Sequence, residues 1–215
     1  INLKIRSDVE SEINGMGPVI RKEDLELLYE QLDTLKDDDV LVLAGSIPSG
    51  MPQSIYRDIM SRLQSKRIKI AVDATKDLLM NVLAYHPFVI KPNNHELSEI
   101  FDVTIDSKEK AVVYAKELQK KGAQNVIVSM AGEGAVFVGS DGSVFTSEAP
   151  HGVVKNSVGA GDSMVAGFLA GYLAKGDYAE AFKMGLCTGS ASAFSDQLAT
   201  REEVEQVRRS HIFDF

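Results

Sequence analysis

Apolar and polar residues alternate where the chain starts. Ile1, Leu3 and Ile5 stand between Asn2, Lys4 and Arg6, and Val9 to Ile13 can return along them after Ser7-Asp8. A period of two predicts a two-stranded ribbon with one apolar face, closed by the turn-rich Asn14-Gly15-Met16-Gly17-Pro18. From Glu23 to Leu35 the period changes: Leu25, Leu28, Leu32 and Leu35 recur at three and four, which predicts an amphipathic helix with its acidic side in water. Asp37-Asp38-Asp39 ends that helix, and the near-continuous apolar run Val40 to Ala44 predicts a buried strand.

That run opens a rhythm. Strands are expected at 40–44, 68–72, 88–90 and 125–129, with helices at about 53–65, 76–84, 94–101 and 107–121 between them. Apolar runs separated by helical stretches build βαβ units, so the fold class is α/β with a parallel sheet covered on both faces. Ala135 to Val138 and Val144 to Thr146, joined by Gly139-Ser140-Asp141-Gly142, read as a hairpin at the far side of the sheet. After Asn156 the pattern is helical to the end, with breaks near Gly176-Asp177 and around Ser195 to Ala199. Neither an internal repeat nor a linker interrupts it, which favours a single domain.

Composition narrows the class of function. A chain of 215 residues that is 44% hydrophobic and 25% charged can bury a core and is neither disordered nor fibrous. Its net charge of −8 repels nucleic acid and anionic bilayers. A phosphate ligand must therefore be held by local donors. The single cysteine, Cys187, cannot close an internal disulfide and has the small neighbours of a packed core thiol; a cytoplasmic location is the expectation. Met164 to Ala174 is the longest apolar stretch, well short of the ~20 residues that span a bilayer. The N-terminus lacks the continuous apolar block of a signal peptide. His86, His95, His151 and His211 are dispersed without metal-ligand spacing.

In open parallel sheets ligands sit beyond the carboxyl ends of the strands. Gly45-Ser46-Ile47-Pro48-Ser49-Gly50 follows the first expected strand, Asp73-Ala74-Thr75-Lys76 the second, Lys91-Pro92-Asn93-Asn94-His95-Glu96 the third and Met130-Ala131-Gly132-Glu133-Gly134 the fourth. Each alone also reads as a turn or a helix cap, and Asp73 and Glu133 stay open between ligand contact and capping. The sharpest segment is Asn156-Ser157-Val158-Gly159-Ala160-Gly161-Asp162-Ser163 before a small-residue helix. Its glycines let consecutive N–H groups point at one spot at the positive end of a helix, making an anion hole. Asp162 beside those donors would repel an anion unless it has a task such as taking a proton; the bland alternative is a capping residue on a turn. A dinucleotide fingerprint fails because position 164 is Met, and a Walker A loop fails because no Gly-Lys-Ser/Thr follows.

Asn156 to Leu169 resembles the second signature of the PfkB, or ribokinase-like, sugar kinases position for position. Lys91-Pro92-Asn93 with Glu96, Gly45-Ser46-Ile47-Pro48, and Ser129 with Gly132, Gly134 and Ala135 resemble that family's other motifs in its order. Together with Ser190 to Ser195, the second signature is most similar to the 1-phosphofructokinase branch, with tagatose-6-phosphate kinases close behind. The resemblance implies a three-layer αβα sandwich with a mostly parallel sheet, residues 15–215 forming the kinase core and 1–14 the remnant of a lid ribbon. It implies ATP and Mg²⁺ as cofactors and a sugar phosphate as partner, with transfer to the primary hydroxyl of a phosphorylated ketohexose such as fructose 1-phosphate. Asp162 would be the base that takes the sugar's proton, and the N–H groups of Gly159, Ala160 and Gly161 would hold the γ-phosphoryl. Asn93 and Glu96 would organise Mg²⁺ through water. Lys91 would place a cation near phosphate, Ser129, Gly132 and Gly134 would line the nucleotide side, and Ser46 would touch the sugar phosphate. Ala191 and Ala193 either leave room for adenine or serve helix packing.

The family's N-terminal strands and its sugar-binding segment have no counterpart in this chain, which starts within what resembles the lid ribbon. A phosphate-gripping arginine would be expected immediately before Ile1. An unpaired apolar sheet edge is expected in consequence, as is either a kinase or a non-catalytic nucleotide-binding module. Lid ribbons in the family often pair between subunits, which makes a homodimer a further expectation.

Overall fold

The computed structural model describes residues 2–5, 11–14, 17–48 and 50–215, the first two stretches as backbone only. β1 (Asn2–Ile5) and β2 (Ser11–Asn14) form an antiparallel ribbon of their own, with Asn2 opposite Asn14 and Ile5 opposite Ser11. The turn between them and Gly15-Met16 lie outside the described residues.

The rest is built on one six-stranded sheet. β3 (Val40–Ala44), β4 (Lys69–Asp73), β5 (Val89–Ile90) and β6 (Asn125–Ser129) run parallel, and β7 (Ala135–Val138) and β8 (Val144–Ser147) close it as an antiparallel hairpin, in the order β3-β4-β5-β6-β7-β8. Sequential order is what right-handed βαβ crossovers give when each new strand joins the same side. The helices are α1 (Lys22–Asp33), α2 (Ile55–Leu63), α3 (Lys76–Met80), α4 (Asn94–Phe101), α5 (Lys108–Lys120), α6 (Ala160–Lys175), α7 (Tyr178–Phe194) and α8 (Arg201–Ser210).

Strand parity sorts the core into two faces. Ile70, Val72, Ile90, Val126, Val128, Val136 and Val138 pack with buried residues of α1 to α5, whereas Ala71, Val89, Ile127, Ala135 and Phe137 pack with α6 and α7. The result is a helix layer on each face of a mostly parallel sheet, as the resemblance implies. Phe137 anchors the second face, with ring centroids 5.4 Å from Phe168 and 5.8 Å from Phe182. α6 and α7 approach so closely that a Cβ on Gly167 would stand 2.5 Å from Thr188 Oγ1 and one on Gly185 2.9 Å from the Met164 carbonyl.

Two elements depart from the pattern. The helix expected at 76–84 stops at Met80, and a 3-10 turn, Leu83–Tyr85, carries the chain to His86, whose left-handed backbone (φ 56°) ends it. His86 Nδ1 and the Gly122 carbonyl, 3.0 Å apart, hold that corner. The segment before β5 is thus fixed by a tertiary contact that helical periodicity does not register. At the other end, β3 is the outer strand, and Val42 on it is 47% exposed, so the expected apolar edge is present. Among the described residues no helix is long and apolar enough to cross a membrane.

Candidate active site

The carboxyl ends of β4 and β5 carry the first half of the site. Val72 pairs with Ile90, so Asp73 and Lys91 come next on neighbouring strands. Lys91 Nζ lies 3.3 Å from Asp73 Oδ2, with only 8% of the lysine side chain and 18% of the aspartate exposed. Burial pushes the Asp73 carboxyl above the ordinary carboxylate range. Lys91 pulls it back, and the charge of Asp162 adds to the upward push. The Gly45 N–H donates to the Asp73 carbonyl at 3.3 Å, which brings the turn carrying the exposed Ser46 beside this pair.

The second half is the start of α6. Asn156 is anchored by its N–H, which donates to the Ala193 carbonyl at 3.1 Å, and its Oδ1 accepts from the Val158 N–H at 3.1 Å. Gly159 then adopts φ 76° as the N-cap, a conformation that penalises any side chain, and no side chain caps the helix. The Ala160 N–H is turned back to the Ser157 carbonyl at 3.3 Å, and the Ser163 N–H donates to the Gly159 carbonyl at 2.8 Å. The N–H groups of Gly159, Gly161 and Asp162 have no acceptor among the described residues. Of the three amides that the resemblance singles out, two are therefore open, and the Asp162 amide is open in addition.

The two halves meet. A Cβ on Gly161 would stand 3.0 Å from Lys91 Nζ, so the ammonium lies against the first turn of α6. Asp162 is exposed, next in sequence to Gly161 and close enough to Asp73 for their charges to interact. Asp73, Lys91, Gly161 and Asp162 thus form one cluster of alternating charge around open backbone donors. Such an arrangement can bind a phosphate and take a proton.

The remaining residues from the sequence motifs are arranged differently. Asn93 is the N-cap of α4: its Oδ1 accepts from the Glu96 N–H, and Glu96 Oε2 accepts from the Asn93 N–H, both at 2.8 Å. Asn93 is bridged to Ser129, which stands on the neighbouring strand. Gly132 has open space where a side chain would stand. Gly134 is a glycine for a backbone reason: at φ 91° its Cβ would fall 2.0 Å from the Ser147 carbonyl oxygen. Ala191 and Ala193 work through their carbonyls, which accept from Ser195 Oγ and from the Lys155 and Asn156 amides. His95 is exposed, and Cys187 is fully buried, its thiol pushed up to about 11 by that burial. No cluster of three or more His, Cys, Asp or Glu able to hold a metal occurs among the described residues.

Sequence reasoning gives no signal for Tyr56 or Leu198 and names Ser192 only within the Ser190 to Ser195 resemblance. The Tyr56 hydroxyl donates to the Ala44 carbonyl at 2.7 Å and lies 3.1 Å from that of Gly45, bracing the turn before Ser46. Its place on an apolar helix stripe gave no signal. Leu198 covers the spot where a Gly159 side chain would stand, 2.9 Å away. Ser192 ties the pieces together, its hydroxyl donating to Ser163 Oγ at 2.9 Å and accepting from the Ala199 N–H at 3.1 Å.

Comparison with known proteins places the chain in a family. Residues 3–203 match the model of the pfkB family carbohydrate kinases. A 1-phosphofructokinase of Bacillus subtilis is 44% identical over 207 residues, covering 96% of this chain and 68% of the relative. A D-tagatose-1-phosphate kinase of Bacillus licheniformis is 29% identical over 207 residues, covering 96% and 68%. The structure of phosphofructokinase-2 from Escherichia coli in complex with substrates and products superposes with a TM-score of 0.88 at 25% identity, covering 97% of this chain and 69% of that one.

Proposed function

The chain belongs to the pfkB family of carbohydrate kinases, and on that premise we propose that it transfers the γ-phosphoryl group of ATP to the primary hydroxyl of a phosphorylated ketohexose. Fructose 1-phosphate is the acceptor we assign, after the similarity to 1-phosphofructokinases. The observation that carries the reading is the open first turn of α6 with a buried ammonium on one side and Asp162 on the other.

In the proposed step Asp162 takes the proton of the sugar hydroxyl as its oxygen bonds to the γ-phosphorus. The bond from that phosphorus to the β–γ bridging oxygen breaks, and ADP leaves with the electron pair. The N–H groups of Gly159, Gly161 and Asp162 donate to the transferring oxygens, and the Lys91 ammonium offsets their charge; preorganised donors of this kind are each worth ~10²–10³ in rate. Gly161 suits this role because it lets backbone and ammonium face the same phosphate.

The donor set fits Mg²⁺ as a companion of the nucleotide better than as an ion caged by protein. Asn93 Oδ1 and Glu96 Oε2 are engaged in the α4 cap, which leaves Glu96 Oε1 to accept from metal-bound water. When bound, the ion would neutralise phosphate charge.

The relative named for D-tagatose 1-phosphate supports a second acceptor, another ketohexose 1-phosphate with the same primary hydroxyl at C6. A coupled ADP-release assay with MgATP and a panel of fructose 1-phosphate, fructose 6-phosphate, tagatose 1-phosphate and tagatose 6-phosphate tests both. Fastest release with fructose 1-phosphate is expected. Fastest release with tagatose 1-phosphate moves the assignment to the second acceptor, and nucleotide binding with no sugar-dependent release makes the chain a binding module.

A further inference from the structure

We propose that Asp73 is a positioning residue whose carboxylate holds the Lys91 ammonium against the open first turn of α6, ready for the phosphate that arrives there. The inference rests on the phosphoryl-transfer reading and adds to it a residue that the sequence motifs left undecided.

Strand register comes first. Asp73 and Lys91 stand two residues beyond Ala71 and Val89, and a period of two puts all four on one face of the sheet. Ala71 and Val89 pack with Met164, Val165 and Phe168 of α6. The charged pair therefore stands under the same helix, nearer its start, and the two contacts of Lys91 with Asp73 and with the Gly161 position agree.

An ammonium in that place is electrostatically awkward. It is largely withdrawn from water and faces the positive end of the helix dipole, where cations are disfavoured. A lysine on a flexible four-carbon stem would ordinarily carry its charge out to solvent. Asp73 supplies the only ion pair that Lys91 makes among the described residues. As a purely structural device the pair gains little, since desolvation offsets most of the attraction. An incoming phosphate changes the balance, because it satisfies helix and cation together. Asp73 then serves to keep the cation in place between turnovers.

Calorimetric titration with MgATP, and with inorganic tripolyphosphate as a probe free of the nucleoside, tests this in wild type, Asp73→Asn, Lys91→Gln and the double variant. Each single variant is expected to bind tripolyphosphate about tenfold more weakly. In the Lys91→Gln background, Asp73→Asn should then change affinity less than about twofold, a non-additivity expected of residues that act as a unit. Additive losses, an unchanged affinity in Lys91→Gln, or no tripolyphosphate binding by the wild-type chain would each overturn the proposal. Should Asp73→Asn fail to fold around a bare ammonium, comparing Lys91→Gln with the double variant decides the point, because the double variant buries neither charge. The outcomes separate from those of the kinase reading. Coupling without sugar-dependent ADP release keeps the positioning role and sinks the kinase, and ADP release with additive losses does the reverse.

Discussion

Helices α4 and α6 both start beside the carboxyl edge of the sheet, and they start in opposite ways. At α4 the donors are closed off: Asn93 and Glu96 exchange backbone and side-chain hydrogen bonds in a capping box. At α6 the N-cap is Gly159, no side chain reaches back, and the first amides stay open. The helices α5, α7 and α8 each have a side chain, from Ser107, Asp177 and Thr200, that accepts from the first turn. A cap contributes about 1 kcal/mol to a helix, and α6 forgoes it where a buried ammonium and an acid stand closest to the opening. The two helix starts thus differ in what their first amides meet: at α4 the chain's own side chains accept from them, and at α6 they stay open, where the proposed reaction would use them.

The contrast breaks most readily at Asp162. Replacing it with Asn keeps size and the open amides but removes the carboxylate proposed as the base, so turnover in the ADP-release assay should fall by ~10²–10⁴ with MgATP affinity nearly unchanged. Near-normal turnover would remove Asp162 as the proton acceptor. Gly161→Ala is the next largest. Helix propensity favours Ala, so the melting temperature should hold or rise slightly. The added methyl would stand 3.0 Å from Lys91 Nζ and 3.4 Å from its Cε, and the ammonium must shift. A displacement of that size costs ~10² in turnover if the cation faces the transferring group. A loss below about twofold would place Lys91 outside the reaction.

The sequence carried much of this site, for a physical reason. The α6 start is local: glycines, open amides and the acid lie within four consecutive residues, so spacing alone brings them together. The strands were legible because apolar runs and helical periods alternate, and their observed bounds fall within about a residue of those expected. The pairing of Asp73 with Lys91 was not legible. Those residues are eighteen apart in the chain, and only the register of β4 on β5 makes them neighbours. Tyr56 under the Gly45 turn and Leu198 over Gly159 escaped for the same reason, since each reads locally as an ordinary apolar position. Of the strand-end motifs, Gly134 has a backbone reason and the Asn93 box a capping role within the chain itself, which leaves open whether Glu96 has a second duty.

The smallest expected effect is also the one that sharpens the comparison most, because it asks whether the closed helix start has a second duty. Asn93→Ala removes an acceptor from the first turn of α4 and should cost about 1 kcal/mol, read as a melting temperature lower by about 2–4 °C for a domain of this size. Glu96→Gln is the complementary change. Gln can still accept from the Asn93 amide, as capping boxes built with either residue do, so the cap and the melting temperature should survive within about 1 °C. What Glu96→Gln removes is the negative charge on the oxygen not used by the cap. If that oxygen serves water on a nucleotide-bound cation, the Mg²⁺ concentration needed for half-maximal turnover should rise about tenfold, the lower end of the cost of losing an outer-sphere partner. An unchanged Mg²⁺ requirement, with the melting temperature also unchanged, would leave Glu96 as a capping residue alone and confine the chemistry to α6 and the charged pair beneath it.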